Sequence, residues 1–264
     1  HPLIQQAVYE EIPPLRKAGV HATIANALEQ THQADLDQHA AELAHHFARA
    51  GAVAGAEKVV MYSLIAGERA LASFAYEQAV VHFGRIVDAN DGGAVAADLA
   101  QALFGLGRAQ AATLPRQESL TAHNNLVRAF DYYVEAGDTP QIAAIAGIQI
   151  LPLSELGVST GILLERALEL VPESTPEAGR LYADFESLLG MERGDYSGAQ
   201  DYFQRALEIG QKIGNPAVEM WSLIQASRID CWHLHFQQSL ERGLKAAEIA
   251  ENISDLKGAV AGRY

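Results

Sequence analysis

One pattern restricts this chain more than any other: a small, a bulky and a small residue spaced by four and then three. Its clearest instance is Ala199, Phe203 and Ala206 in GDYSGAQDYFQRALEIG. Ala79, Phe83 and Ile86 repeat it with a larger last member, and Ala122, Leu126 and Ala129 repeat it in full. Thr160, Leu164 and Ala167, and then Ser239, Gly243 and Ala246, are weaker copies. These spacings put all three residues on one helix face. The small residues let a neighbouring helix approach, and the bulky one fills the gap between the close points. The last members, Ile86, Ala129, Ala167, Ala206 and Ala246, lie 43, 38, 39 and 40 residues apart. A period of that size points to a stacked array of helix pairs, each burying its apolar face on the next.

The Gly194-Asp195 turn followed by the A-x3-F helix resembles the second helix of a tetratricopeptide repeat. Ala66-Gly67 and Leu106-Gly107 stand where that family has its Leu-Gly pair, and an insert containing Pro115 lengthens one turn. A period near 40 exceeds the usual length of about 34 and is similar to the repeats of MalT-like regulators. The resemblance implies an all-α, right-handed superhelical solenoid, with about five such repeats over residues 59–264.

Composition agrees with helices. Hydrophobic residues make up 49% of the chain and aromatics 7%, a balance that favours alanine-lined helices packed closely. The segments YVEAGDTPQ, QKIGNPAVE and ENISD place Gly, Asn, Asp or Pro between helical runs, where glycine ends one helix and proline starts the next. No run alternates apolar and polar residues in the manner of a strand. The net charge is −14, with 9 basic and 14 acidic residues over 1–132 and 10 and 19 over 133–264. A surface this acidic repels phosphate backbones, so direct nucleic-acid contact is not expected of this segment. The single cysteine, Cys231, excludes an intramolecular disulfide and points to a reduced, cytoplasmic setting. The densest apolar stretch, IAAIAGIQILPL, is 12 residues and too short to span a membrane. HPLIQQAVYEE carries no secretory signal pattern, and a start without Met and a stop within AVAGRY suggest a piece of a longer chain.

Residues 1–58 fit the period poorly and resemble a junction. His1-Pro2-Leu3, Ala7-Val8-Tyr9, Leu15-Arg16, His21, Ile24-Ala25, Ala27-Leu28-Glu29 and Glu42-Leu43-Ala44-His45-His46-Phe47 are similar to the helices joining a winged-helix/ATPase module to its repeats. Large LuxR-type regulators and ATPase-linked adenylate cyclases of bacteria share this junction. The resemblance implies a sensor segment beside a linked ATPase domain. The phosphate-binding G-x-x-x-x-G-K-[ST] loop of such an ATPase is not found here.

Several motifs invite chemistry. Gly157-Val158-Ser159-Thr160-Gly161 matches the hydrolase nucleophile elbow, with Asp184, Asp195, Asp230, His233 and His235 downstream. That elbow needs a strand over a parallel sheet, and at a repeat turn small residues are expected anyway. His39, Glu42 and His46 share a helix face, but the spacing is not that of a zinc peptidase helix. His233 and His235 point to opposite sides. No catalytic residue, cofactor or metal is expected.

The expected site is instead the concave groove of the array, lined by first helices. Its candidates are Phe104, Arg108, Gln149, Asp184, Trp221, Arg228 and Trp232, with Ile145, Leu188 and Ile224 on the same register. Trp221, Ile224, Arg228 and Trp232 form a stripe with two tryptophans around an arginine, types enriched in binding hot spots. The expected function is a non-enzymatic sensor and scaffold segment of a cytoplasmic regulator. It would bind a protein partner or small-molecule inducer and modulate a linked ATPase and transcriptional output. The alternatives are the regulatory arm of an ATPase-linked adenylate cyclase and a free-standing peptide-binding adaptor.

Overall fold

The computed structural model describes residues 9–53, 55–90, 94–115, 118–148 and 161–262. They are all-α, and no strand occurs among them. The chain divides into two compact units, residues 1–132 and 133–264.

In the first unit, α1 (Pro14–Thr31) leads through a 3-10 turn (Leu36–His39) into α2 (Ala40–Ala50). Then come α3 (Ala56–Ala72), α4 (Tyr76–Ala89), α5 (Ala97–Thr113) and α6 (Ser119–Ala136), the last crossing the unit boundary. Each helix from α1 to α5 packs on the next, and α3 also touches α5. The amino-terminal residues pack directly onto this array. Phe47 of α2 stacks on Tyr62 of α3 at 5.5 Å, and Glu29 of α1 accepts from Lys58 and from the Tyr62 hydroxyl at 2.7 Å.

The second unit holds α7 (Thr139–Ala146), α8 (Gly161–Leu170), α9 (Pro176–Ser187, continued by a π-helical turn over Leu188–Glu192) and α10 (Tyr196–Ile213). It continues with α11 (Pro216–Trp232), α12 (Phe236–Asn252) and α13 (Leu256–Ala261). Neighbours pack in order, and α7 on α9, α9 on α11 and α11 on α13 also touch. Within each unit this is solenoid packing: first helices line up side by side, and each second helix wedges against them.

The triplets form the wedge. Ala79, Phe83, Ile86, Ala122, Leu126, Ala129, Leu164, Ala167, Ala199, Phe203, Ala206, Gly243 and Ala246 are buried, Ser239 is half-buried, and Thr160 lies outside the described residues. The Phe83 ring sits against Gly67 of its own first helix and Gly105 of the next. A Cβ on Gly67 would lie 2.6 Å from the ring, and one on Gly105 would be closer still. Gly107 faces Leu126 in the same way. Glycine here admits an aromatic ring between two backbones, which any side chain would exclude.

Capping matches the linkers read from sequence. Asp138, Thr175, Asp195 and Asn215 each accept a backbone N–H at the start of a helix, and Pro140, Pro176 and Pro216 occupy first-turn positions. These acceptors satisfy amides that the helix itself leaves unpaired.

Candidate functional site

The first helices of the first unit enclose a groove of about 700 Å³. Its floor is Val60, Met61, Leu64 and Ile65 of α3, and Met61 is 44% exposed. Around that floor stand Glu57 and Glu68 of α3, Asp98 of α5 and Asp37 of the 3-10 turn, against one basic group, Arg69. Two of the expected groove residues flank it. Arg108 lies 3.5 Å from Glu68 and 5.3 Å from the centre of the Phe104 ring, so its charge is already turned toward the rim.

The expected tryptophan stripe is arranged differently in the second unit. Asp184 of α9 is buried rather than groove-lining, and accepts from the Trp221 indole N–H at 3.0 Å and the Gln225 amide at 3.2 Å. Burial pushes its carboxyl above the usual range, and these two donors together with Arg180 and Arg228 pull it back. The guanidinium over the Trp221 ring is that of Arg180, at 4.8 Å; Arg228 is exposed and donates to Gln225 at 3.0 Å. Ile145, Leu188 and Ile224 are buried in the core. Trp232 is 62% exposed at the end of α11, and Leu234, Phe236, Leu240 and Leu244 beyond it are also exposed. Gln149 lies outside the described residues, as do residues 157–160 of the elbow motif.

The residues downstream of that motif hold the fold together. Asp195 caps α10, and His233 donates through Nε2 to the Gly190 carbonyl of the π-helical turn at 2.7 Å. Asp230 accepts from the Tyr196 hydroxyl at 2.8 Å and pairs with Arg242 at 2.9 Å, at an angle too bent for a hydrogen bond. Beside them Glu186 is fully buried and neither of its carboxyl oxygens has a hydrogen-bond partner. Burial raises its pKa to about 9; Arg242 opposes that shift, while Asp230 and Asp184 add to it.

The histidines near the amino terminus fall into two groups, and His39 does not join His46. His46 meets His21 through the two Nδ1 atoms at 2.9 Å, and His21 Nε2 meets the Tyr9 hydroxyl at 2.9 Å. Arg49 donates to that same hydroxyl at 3.2 Å, so Tyr9, His21, His46 and Arg49 form one hydrogen-bonded group. Burial first, then the neighbouring His46, Arg49 and His45, hold His21 below its ordinary value. His39 instead turns to His32 and Asp35.

The residues that line the groove, Asp98 and Gln101 of α5 and Val60, Leu64 and Glu68 of α3, are not among those expected from the sequence, although the last three are spaced by four. The spacing was readable. Which helix faces which, however, depends on packing between pairs. No family model matches the chain. No curated protein matches it either.

Proposed function

We propose that the chain is a non-catalytic binding segment whose first unit captures a basic, amphipathic stretch of a protein partner between α3 and α5. The lining of the groove carries this reading: an apolar floor ringed by Asp37, Glu57, Glu68 and Asp98. A segment with leucines on one side and lysines or arginines at its edges would bury the former and set the latter against the acids. Methionine on such a floor adapts to different apolar shapes. The net charge of −14 draws a cationic segment in and turns acidic competitors away.

Occupancy would tie α3 to α5, first helices of successive pairs, and so favour one spacing between them. The amino-terminal motifs and the repeat period support a wider reading: a sensor arm of a cytoplasmic bacterial regulator of LuxR type, in which this bias reaches a linked ATPase domain.

Fluorescence anisotropy with a labelled leucine–lysine helical peptide tests the groove. Binding is expected to weaken with added salt, and at least tenfold in a Glu57→Gln/Asp98→Asn double variant. Both acids are exposed, so the fold should persist, as circular dichroism would show. Equal binding of a leucine–glutamate peptide, or unchanged affinity in the double variant, would rule the reading out.

A further inference from the structure

We propose that His32, Asp35 and His39 form a site for a divalent transition ion of the zinc class, in the turn between α1 and α2. His32 ends α1, Asp35 precedes the 3-10 turn and His39 closes it. Asp35 Oδ1 lies 3.6 Å from His32 Nδ1, and its Oδ2 lies 3.6 Å from His39 Nε2. All three donor atoms fall within 4.8 Å of one another. Zinc bonds of about 2.0–2.2 Å in a tetrahedron set donors roughly 3.4 Å apart. Each imidazole lies near that spacing from one carboxylate oxygen, His32 from Oδ1 and His39 from Oδ2, and bringing both rings to a single oxygen is the remaining adjustment.

The backbone holds this arrangement without help from the three side chains. The His32 N–H donates to Leu28 at 2.9 Å, the Asp35 N–H to the His32 carbonyl at 3.0 Å, and the Gln38 N–H to the Asp35 carbonyl at 2.9 Å. Leu36, inside the turn, packs against the core formed by α1, α2 and α3. An aspartate at the start of a helical turn ordinarily caps it, yet Asp35 makes no capping bond. Both its oxygens face imidazoles instead. The two rings stack with centres 3.5 Å apart and planes 26° from parallel. Seating an ion requires them to splay, and all three residues are only half-buried, which leaves room for that rotation.

The donor set selects the ion. Two imidazoles and one carboxylate suit zinc, nickel, copper or iron, whereas calcium and magnesium take oxygen. Three protein ligands leave a fourth position for water or for a group on a partner. The other histidine cluster is a poor competitor, since the facing Nδ1 atoms of His21 and His46 are spent on each other.

The test is calorimetric titration of the whole chain with Zn²⁺ at neutral pH, with Co²⁺ as a spectroscopic stand-in. One ion per chain is expected, with the visible absorption of tetrahedral Co²⁺. Affinity should fall at least tenfold in His32→Ala and in His39→Ala and should also fall in Asp35→Asn, while His46→Ala should bind like the parent. Zn²⁺ should raise the melting temperature of the parent and of His46→Ala only. No saturable binding, or equal affinity in a His32→Ala/His39→Ala variant, overturns the site. If circular dichroism shows that variant unfolded, the milder His39→Gln takes its place, and parent-like affinity there overturns the site equally.

Discussion

Phe83 has no solvent on either face of its ring, and both faces rest on glycine. Replacing Gly105 by Ala sets two effects against each other. Alanine favours the helix by about 1 kcal/mol, and its Cβ overlaps a ring with nowhere to go, which costs roughly 1–3 kcal/mol. Overlap should win. Gly105→Ala is expected to lower stability in urea denaturation, and Phe83→Leu should cost less in that background than in the parent. A stabilised Gly105→Ala would show that the ring can move. Glu186 makes a different demand at the same scale. Its folded value near 9, against 4.5 for an ordinary glutamate, means the folded chain keeps a proton that the unfolded chain releases. That contribution is whole below about pH 4.5, is lost as pH rises, and levels off near 9. Glu186→Gln removes the loss, so its stability relative to the parent should grow with pH by up to about 1.4 kcal/mol per unit between those limits. Parallel pH profiles for the two proteins would contradict this. Arg242, Asp230 and Asp184 are the charged groups facing it. Neither Glu186 nor Asp184 was legible as buried, because hydropathy counts every acid as outward-facing. Asp184 is buried against donors from another helix, Trp221 and Gln225 on α11, whereas Glu186 has no donor and only the charge of Arg242 on α12 to favour its ionised form.

Six turns between helices repeat one geometry, and glycine marks only half of them. At Gly137, Gly194 and Gly214 the backbone takes φ of 69°, 69° and 65°, and glycine announces the turn. Phe74, Leu234 and Ser254 take the same conformation at 60°, 64° and 60° with no such signal. In all six turns the residue after the left-handed one donates back to the end of the preceding helix, as His235 does to the Asp230 carbonyl at 2.7 Å. That bond holds a non-glycine residue where it is strained by about 1–2 kcal/mol. Leu234 is 73% exposed, so replacing it loses little packing. Leu234→Gly relieves the strain but adds about 0.5–1 kcal/mol of unfolded-chain freedom, leaving a small net gain. A raised melting temperature is expected for Leu234→Gly and none for Leu234→Ala, which keeps its Cβ. Equal melting of the two would place the strain elsewhere. The 3-10 turn at Leu36–His39 was hidden for a related reason. A helical wheel assigned His39 to the face of Glu42 and His46, whereas the tighter turn swings it back to His32.

Across the whole chain, the period was legible because it is written in small residues, whose burial varies little with context. The lining of the groove was not legible. Phe104 and Arg108 stand beside it, but the acids that give it a charge come from α3, α5 and the 3-10 turn together. The ring of Phe83 needs a backbone on each side, Gly67 on one and Gly105 on the other. Three second helices have a first helix before them and another after: α4 lies between α3 and α5, α10 between α9 and α11, and α12 between α11 and α13. Gly258 of α13 closes on Met220 of α11, and Gly243 of α12 meets the backbone of Gly262. An isolated helix pair is thus an unfinished object, with one flank of its aromatic wedge bare.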